Sequence, residues 1–213
     1  MWQLYVILDA AAAAGRNLQD LTAAAIRGGA DLLQLRDKTA STKQLCDTAQ
    51  QLLPLTRAAG IPLIINDRVD VALAVGADGV HLGQDDLAPA LARRLLGPHR
   101  LIGQSTHSLE QALAAQREPI DYFAVGPIFA TPTKPDYPHV GLSLIRQIAP
   151  HARKPFVAIG GIDLDVAPSV LDAGAPGVAV VRAVCAAADP EAATRQLKRL
   201  FAQFVPTRSQ APL

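Results

Sequence analysis

The chain has 213 residues, half of them apolar and 18% charged, and its formal net charge at pH 7 is only +1. Single α/β barrels commonly have about 200–250 residues, so one large domain is the simpler interpretation of this length. The near-neutral charge, the absence of a basic cluster and the absence of an apolar run of roughly 18 residues argue against nucleic-acid and membrane partners.

The amino terminus and the two cysteines indicate a cytoplasmic protein without redox chemistry. Residues 1–10 begin like a strand and carry no basic leader. Cys46 and Cys185 lie far apart and outside any CxxC or Cys/His spacing. We interpret both as small buried hydrophobic residues rather than as disulfide partners or metal ligands.

Short apolar runs alternate along the chain with segments of helical periodicity. The predicted strands span residues 5–9, 31–38, 61–66, 79–83, 100–105, 122–126, 155–159 and 177–181. The predicted helices span residues 18–27, 41–59, 69–75, 87–96, 108–117, 142–149, 165–173 and 190–204. Ser41 is a favourable N-cap for the second helix, and Pro54 should kink that helix or split off its last turn.

Eight successive strand–helix units, with no domain-sized remainder, predict a single-domain (β/α)8 TIM barrel over residues 1–213 with a flexible tail at 205–213. A doubly wound open sheet is the structural alternative. Such a sheet would be expected to carry a GxGxxG fingerprint after its first strand, and residues 9–15 do not match it. Active sites of TIM barrels lie at the carboxyl ends of the strands, so the strand-terminal polar residues are the candidate site residues.

Two carboxylates follow neighbouring predicted strands. Asp67 comes directly after Asn66 at the end of the third strand, and Asp86 follows the fourth. Two carboxylates with a nearby amide suit Mg²⁺, which binds a few protein oxygens and keeps water and substrate phosphates as its other ligands. Helix capping is the alternative, since both aspartates precede predicted helices. The residues alone leave both interpretations open.

The second predicted strand places two cations and an amide at alternate positions. Gln34, Arg36 and Lys38 share one face by the strand period of two. Arginine binds phosphate oxygens bidentately and lysine acts as a point charge, so this face fits a phosphate-bearing ligand. A solvated strand end is the alternative interpretation.

The longest irregular segment, residues 127–140, contains four prolines and Lys134. Long ordered loops are commonly functional, and this one is placed to cover the barrel mouth. Lys134 adds a third cation, and Thr131 and Thr133 offer hydroxyl donors. Threonine and proline are also ordinary loop residues, which is the alternative.

Three further features are expected near the same end of the barrel. Gly160 and Gly161 after the seventh strand, together with residues 177–182, correspond to the position where TIM barrels bind phosphate through backbone N–H groups, although a tight turn is the alternative. His81 lies inside the fourth strand and His107 just after the fifth. Each histidine is interpreted as a hydrogen-bonded core or rim residue in preference to a catalytic one.

Five motifs occur in order along the chain: QLRDK, NDRVDVALAVGADGVHLGQDD, GQSTH, DYFAVGPIFATPTKPD and VAIGGI. As an ordered set they resemble the thiamine-phosphate synthase family over about residues 5–184, nearly the whole chain. Members of that family join hydroxymethylpyrimidine diphosphate to hydroxyethyl-methylthiazole phosphate with Mg²⁺ and release diphosphate. The resemblance therefore implies a transferase with two small phosphorylated substrates and a Mg²⁺ cofactor, and it leaves a homo-oligomer open.

The resemblance also assigns roles position by position. On the pyrimidine diphosphate side it implies Gln34, Arg36, Lys38, Asn66, Ser105 and Lys134. On the thiazole phosphate side it implies Thr131, Thr133, Gly161, Val181 and Arg182. Asp67 and Asp86 are implied as Mg²⁺ ligands, and Arg36, Lys38 and Lys134 as the catalytic cations that stabilise the leaving diphosphate. The chain departs from the family pattern on the thiazole side, with Val166 where Asn is common and with Pro176 and Arg182 where Asp and Ser are frequent.

The reaction implied by the family is dissociative. Diphosphate leaves first, the aminopyrimidine stabilises a methylene cation, and the thiazole nitrogen attacks that cation. One alternative is a thiazole tautomerase on the same barrel, for which His107 would be the acid/base residue. Another is a non-catalytic barrel that binds a phosphorylated ligand.

Overall fold

The apolar runs, too short for helices, form eight parallel strands in a computed structural model that describes residues 2–131 and 138–203. The strands are β1 Leu4–Asp9, β2 Leu32–Arg36, β3 Leu63–Asn66, β4 Gly79–Leu82, β5 Leu101–Thr106, β6 Tyr122–Val125, β7 Phe156–Ile159 and β8 Val178–Val180. Each strand pairs with its sequence neighbours, and β8 pairs with β1, so the sheet closes into a barrel. The predicted single-domain (β/α)8 TIM barrel is confirmed.

Helices connect consecutive strands and cover the outside of the barrel. They are α1 Ala10–Ala13, α2 Leu18–Gly28, α3 Thr42–Ala59, α4 Val69–Val75, α5 Pro89–Leu96, α6 Leu109–Ala115, α7 Gly141–Ile148, α8 Ala167–Asp172, α9 Arg182–Cys185 and α10 Pro190–Gln203. The short α1 and α9 were not predicted. Within the described ranges, none of these helices has both the length and the apolarity to cross a bilayer. The tail predicted at 205–213 lies outside those ranges.

Pro54 does not split α3, and the expectation that the last turn would separate is wrong. The helix begins with a capping box, in which Ser41 and Gln44 satisfy each other's backbone N–H groups, and it continues to Ala59. Pro54 lies on the exposed face, whereas Leu52 and Leu53 pack in the core. We infer that burial of the inner face outweighs the cost of about 3 kcal/mol for a proline in a helix.

The second strand is also shorter than predicted. It ends at Arg36, because the Asp37 carboxylate accepts hydrogen bonds from the N–H groups of Thr39 (2.9 Å) and Ala40 (3.0 Å) and turns the chain. Lys38 therefore lies in the following loop, and its predicted place on the strand face with Gln34 and Arg36 is wrong.

The apolar residues form two layers, as the TIM-barrel architecture requires. A large cluster fills the space between the outer faces of the strands and the helices. A smaller cluster fills the barrel interior and consists of Tyr5, Ile7, Leu32, Ile64, Tyr122, Ala124, Val157 and Ala179. Cys185 belongs to the outer layer, Cys46 is partly buried against it, and both are free thiols, which agrees with their predicted packing role.

Gly103 on β5 makes room for two large polar side chains of the barrel interior, those of Tyr122 and His81. A Cβ at this position would lie 2.2 Å from Cζ of Tyr122 and 2.5 Å from Nδ1 of His81. Gly103→Ala is therefore expected to destabilise the protein by about 2–3 kcal/mol through overpacking. Urea unfolding should show a lower midpoint with an unchanged slope, and an unchanged midpoint would contradict the proposed tight packing.

Three aspartates each connect two neighbouring strands at their amino ends through hydrogen bonds. The carboxylate of Asp31 accepts hydrogen bonds from the N–H groups at the start of β1, Asp78 does so for β3 and Asp121 for β5, at 2.7–2.9 Å. Each aspartate also donates its own N–H back to the same strand. The register places Pro176 at the corresponding position before β8, and proline offers neither a carboxylate nor an N–H.

Candidate active site

A cavity of about 460 Å³ opens at the carboxyl ends of the strands. Eight of the predicted site residues line it: Gln34, Arg36, Asn66, Ser105, Thr131, Gly161, Val181 and Arg182. Lys38, Asp67 and Asp86 form a cluster beside it, next to Asn66. Thr133 and Lys134 lie outside the described residues. The structure thus brings nearly all the described candidates to one mouth.

The two predicted metal ligands contact each other directly. The side chains of Asp67 and Asp86 share a hydrogen bond, and Nζ of Lys38 donates to Asp67. Asp67 has a left-handed φ of 60°, which is uncommon for a residue other than glycine, and its N–H donates to the carbonyl of His81 at 2.8 Å. The backbone therefore holds two carboxylates together, with the Lys38 ammonium as a compensating cation beside them.

Their environment drives the two carboxyl pKa values apart. Burial acts to raise the pKa of Asp67, but hydrogen bonds from Lys38 and Asp86 outweigh it, and the pKa of Asp67 is lowered. Burial and the shared hydrogen bond with Asp67 both raise the pKa of Asp86. The two carboxyls therefore lose their protons in separate steps, Asp67 at lower pH than Asp86.

Neither aspartate caps a helix, so that interpretation is wrong. The N-cap of α4 is Arg68 and the N-cap of α5 is Ala88, and neither helix has a side-chain cap hydrogen bond. The Asp86 carboxylate instead accepts the N–H of Gly83 at 2.6 Å. Among the residues that the structure describes, no cluster of three or more His, Cys, Asp or Glu side chains fits a metal. Two carboxylates nevertheless suffice for Mg²⁺ that also binds water and phosphate oxygens.

This arrangement predicts Mg²⁺ binding that weakens in acid. In the metal-free protein, Asp86 contributes to stability in its protonated form, because its pKa is raised. This contribution is fully present below the ordinary pKa of an aspartate and is lost as pH rises through the raised pKa. A Mg²⁺ ion held by Asp67 and Asp86 would compete with the proton of Asp86, so added Mg²⁺ should stabilise the protein most where Asp86 is ionised. The rise in Tm on adding Mg²⁺ to protein in EDTA should be larger at about pH 8 than at about pH 5. An equal rise at both pH values would contradict this assignment.

Arg36 reaches the cavity from the end of β2 and forms an ion pair with Asp9 at the end of β1. The side chain of Asp9 is 3% exposed and that of Arg36 is 15% exposed. The second oxygen of Asp9 accepts the N–H of Ala12 at 2.8 Å and caps α1. Asp9 was not predicted as a site residue, although its place at a strand end was a usable signal. The pair holds a guanidinium at the rim, where it can bind an anion.

Polar side chains also fill the barrel interior below the cavity. Gln34 contacts the hydroxyl of Tyr5, Tyr5 contacts Tyr122, and His81 contacts both Tyr122 and Ser105. Burial raises the pKa of both tyrosines above its ordinary value, so their hydroxyls stay protonated. His81 is thus a buried, hydrogen-bonded residue, as predicted. The tyrosines were not recognised as candidates, although the strand period of two from Asp9 places Tyr5 on the inner face.

The opposite rim is built from closely packed backbone. Gly160 and Gly161 after β7 have left-handed φ values of 99° and 64°. A Cβ at Gly160 would lie 2.5 Å from Cα of Pro127, and one at Gly161 would lie 2.7 Å from Cβ of Phe129. Only glycine fits these two positions, as a tight turn after β7 requires, and phosphate binding by its backbone N–H groups stays a prediction.

Arg182 and His107 occupy the same rim. Arg182 is the first residue of α9 and not part of β8, because β8 ends at Val180. Asp163 also lines this rim and was missed; its carboxylate accepts the N–H groups of Asp165 and Val166. Nδ1 of His107 contacts the carbonyl of Gly126. Arg182, Asp163 and His107 thus line this rim together with the two glycines.

Comparison with known proteins gives concordant matches. The family model described as thiamine monophosphate synthase matches residues 4–184. The chain is 56% identical over 200 residues to the thiamine-phosphate synthase of Chloroflexus aurantiacus, covering 93% of this chain and 92% of that protein. It is 50% identical over 209 residues to the thiamine-phosphate synthase of Roseiflexus sp. (strain RS-1), covering 98% and 89%. Its fold superposes on the thiamine phosphate pyrophosphorylase of Pyrococcus furiosus with a TM-score of 0.87 and 38% identity, covering 95% and 96%.

Proposed function

Since the chain belongs to the thiamine monophosphate synthase family and is a transferase, we propose that it condenses hydroxymethylpyrimidine diphosphate with hydroxyethyl-methylthiazole phosphate. The products are thiamine phosphate and diphosphate. The observation that carries this proposal is the contact between Asp67 and Asp86 beside Lys38 and the cavity that Arg36 lines. A cluster of this kind suits a departing diphosphate with its metal ion.

The reaction exchanges one bond for another without a change of oxidation state. The bond between the methylene carbon of the pyrimidine and the diphosphate oxygen breaks, and its electron pair leaves with the diphosphate. The lone pair of the thiazole nitrogen then forms the new carbon–nitrogen bond. No protein nucleophile enters this balance, so the protein's task is to stabilise charge and to position two substrates.

The leaving-group side supplies positive charge where negative charge develops. Arg36 is held by Asp9 and presents a guanidinium at the cavity, and Lys38 lies beside Asp67. We propose that Asn66 and Lys134 also contact the diphosphate. Asp67 and Asp86 would hold Mg²⁺, which when bound neutralises charge on the diphosphate. Lys38 would then transfer its contact from Asp67 to a diphosphate oxygen.

The acceptor side positions the thiazole phosphate. We propose that Thr131, Thr133 and the backbone N–H groups near Gly161, Val181 and Arg182 bind this phosphate. The cavity wall between the two sides includes Ile7, Ile159 and Ile162. These apolar side chains limit the water that could capture the methylene cation before the thiazole nitrogen attacks it.

The proposal is tested with purified protein, both substrates, and either Mg²⁺ or EDTA. We expect thiamine phosphate and diphosphate in equal amounts with Mg²⁺ and almost none with EDTA. Product formation that is insensitive to EDTA would contradict the Mg²⁺ assignment. Isomerisation of the thiazole without diphosphate release would point to a tautomerase, and binding without turnover would point to a non-catalytic barrel.

A further inference from the structure

A continuous hydrogen-bond chain runs through the barrel interior between two residues of the proposed pyrimidine diphosphate site. It starts at Gln34 on β2, crosses through Tyr5 and Tyr122, and returns through His81 to Ser105 on β5. The successive distances are 2.5 Å from Nε2 of Gln34 to the Tyr5 hydroxyl, 3.0 Å between the tyrosine hydroxyls, 3.1 Å to Nδ1 of His81, and 3.0 Å from Nε2 of His81 to Oγ of Ser105.

The donor and acceptor chemistry of the side chains gives this chain one direction. An amide nitrogen can only donate, so the Tyr5 hydroxyl accepts from Gln34. The proton of this buried hydroxyl also needs an acceptor, and the Tyr122 hydroxyl supplies it. Tyr122 then gives its own proton to Nδ1 of His81. A neutral imidazole that accepts at Nδ1 carries its proton at Nε2 and therefore donates to Ser105. The hydroxyl proton of Ser105 is left to point at the cavity that Ser105 lines.

The packing around the chain leaves its members little freedom. The Tyr5 and Tyr122 side chains are 1% exposed and His81 is 7% exposed. The edges of these rings contact one another, with centroids 5.5–6.4 Å apart. The backbone of Gly103 packs closely against Tyr122 and His81, since even a Cβ there would lie within 2.5 Å of both side chains. The orientation of each hydrogen bond is therefore maintained by both neighbours.

We infer that Tyr5, Tyr122 and His81 are positioning residues that present the Ser105 hydroxyl as a donor and the Gln34 carboxamide oxygen as an acceptor to the pyrimidine diphosphate. This inference rests on the proposed function. The three residues act through Ser105 and Gln34 and need no contact with the substrate. Substituting any of the three residues should change the kinetics for pyrimidine diphosphate and not those for thiazole phosphate. The reason is that neither end of the hydrogen-bond chain lies at the thiazole phosphate rim.

A double-mutant cycle between Tyr122→Phe and Ser105→Ala tests the coupling. Tyr122→Phe keeps the ring and removes the hydroxyl, and it should lower kcat/KM for pyrimidine diphosphate by about tenfold, as for loss of one oriented hydrogen bond. KM for thiazole phosphate should stay unchanged. In the Ser105→Ala background, Tyr122→Phe should lower kcat/KM for pyrimidine diphosphate by less than about twofold. Multiplicative effects of the two substitutions would overturn the inference.

Two further variants distinguish a loss of positioning from a general loss of stability. Thr56→Val is the matched control, because Thr56 is fully buried, donates only to the carbonyl of Leu53, and lies on α3 away from the cavity. It should lower Tm without changing kinetics. Tyr5→Phe is the second variant, and it should repeat the effect of Tyr122→Phe on pyrimidine diphosphate.

The direction of the chain is tested without activity. ¹⁵N spectra of histidine-labelled protein, assigned with His81→Gln, should show the proton of His81 on Nε2, whereas a proton on Nδ1 would overturn the inference. If the wild-type protein forms no thiamine phosphate, the proposed function fails. The positioning role is then tested by measuring the affinity for pyrimidine diphosphate alone by calorimetry. An unchanged affinity in Tyr122→Phe would reject the role.

Discussion

Replacing Asp86 by asparagine is expected to lower the rate of thiamine phosphate formation by about a thousandfold. Asparagine keeps the size of the side chain and the oxygen that accepts the N–H of Gly83, but it removes one of the two charges that face the proposed Mg²⁺. Steady-state rates measured across a range of Mg²⁺ concentrations should show partial recovery at high Mg²⁺, because Asp67 remains.

Fold stability should not follow this loss of activity. The pKa of Asp86 is raised by burial and by Asp67, so its charge is unfavourable in the metal-free protein. Asp86→Asn should therefore leave Tm in EDTA unchanged or slightly higher, and it should remove most of the rise in Tm on adding Mg²⁺. Asp85→Asn, an exposed neighbour, is the matched control and should retain wild-type rates. Wild-type activity in Asp86→Asn would reject the metal assignment.

Replacing Arg36 by methionine is expected to have two separate effects. The first is a loss of about a hundredfold in kcat/KM for pyrimidine diphosphate, because a guanidinium no longer stabilises the leaving diphosphate. The second is a loss of about 3 kcal/mol in the free energy of unfolding, because Asp9 is left as a buried carboxylate without its partner. Kinetics and urea unfolding measure the two effects independently.

The double variant Asp9→Asn/Arg36→Met separates stability from catalysis. Asparagine still caps α1 through its side-chain oxygen and carries no charge, so most of the lost stability should return. Activity should stay low, because the guanidinium is still missing. Recovery of activity along with stability would show that Arg36 has only a structural role.

The fold was predictable because strand and helix signals alternate regularly in this chain. Eight apolar runs and the intervening helical segments predict a TIM barrel even where individual ends are misplaced by one or two residues. The errors have local physical causes. The Asp37 turn ends β2 before Lys38, and Pro54 is tolerated because its ring faces solvent. Short α1 and α9 lack a full period of apolar residues, so their sequences give no helical pattern.

The candidate site was predictable at strand ends and less so inside the barrel. Asp67 and Asp86 could be placed at one mouth because parallel strands share a direction, but only the structure shows that their carboxylates touch. The Arg36–Asp9 pair and the contacts of Tyr5 with Tyr122 join residues that are 27 and 117 positions apart. Such pairings depend on which strands become neighbours and on which side chains face inward, and no local pattern encodes them.

Because position 176 carries proline where the other strand pairs have an aspartate, local opening of the barrel should differ between strand pairs. Asp31, Asp78 and Asp121 tie β1, β3 and β5 to the strands that follow them, whereas Pro176 leaves β7 and β8 with ladder hydrogen bonds alone. Loss of those bonds needs the fewest broken contacts, so this pair should form the least protected cooperative unit of the barrel in hydrogen exchange. The proposed thiazole phosphate side of the cavity is built on that unit, and the proposed diphosphate side on the tied strands. The acceptor half can therefore adapt its shape to a substrate while the leaving-group half keeps its geometry.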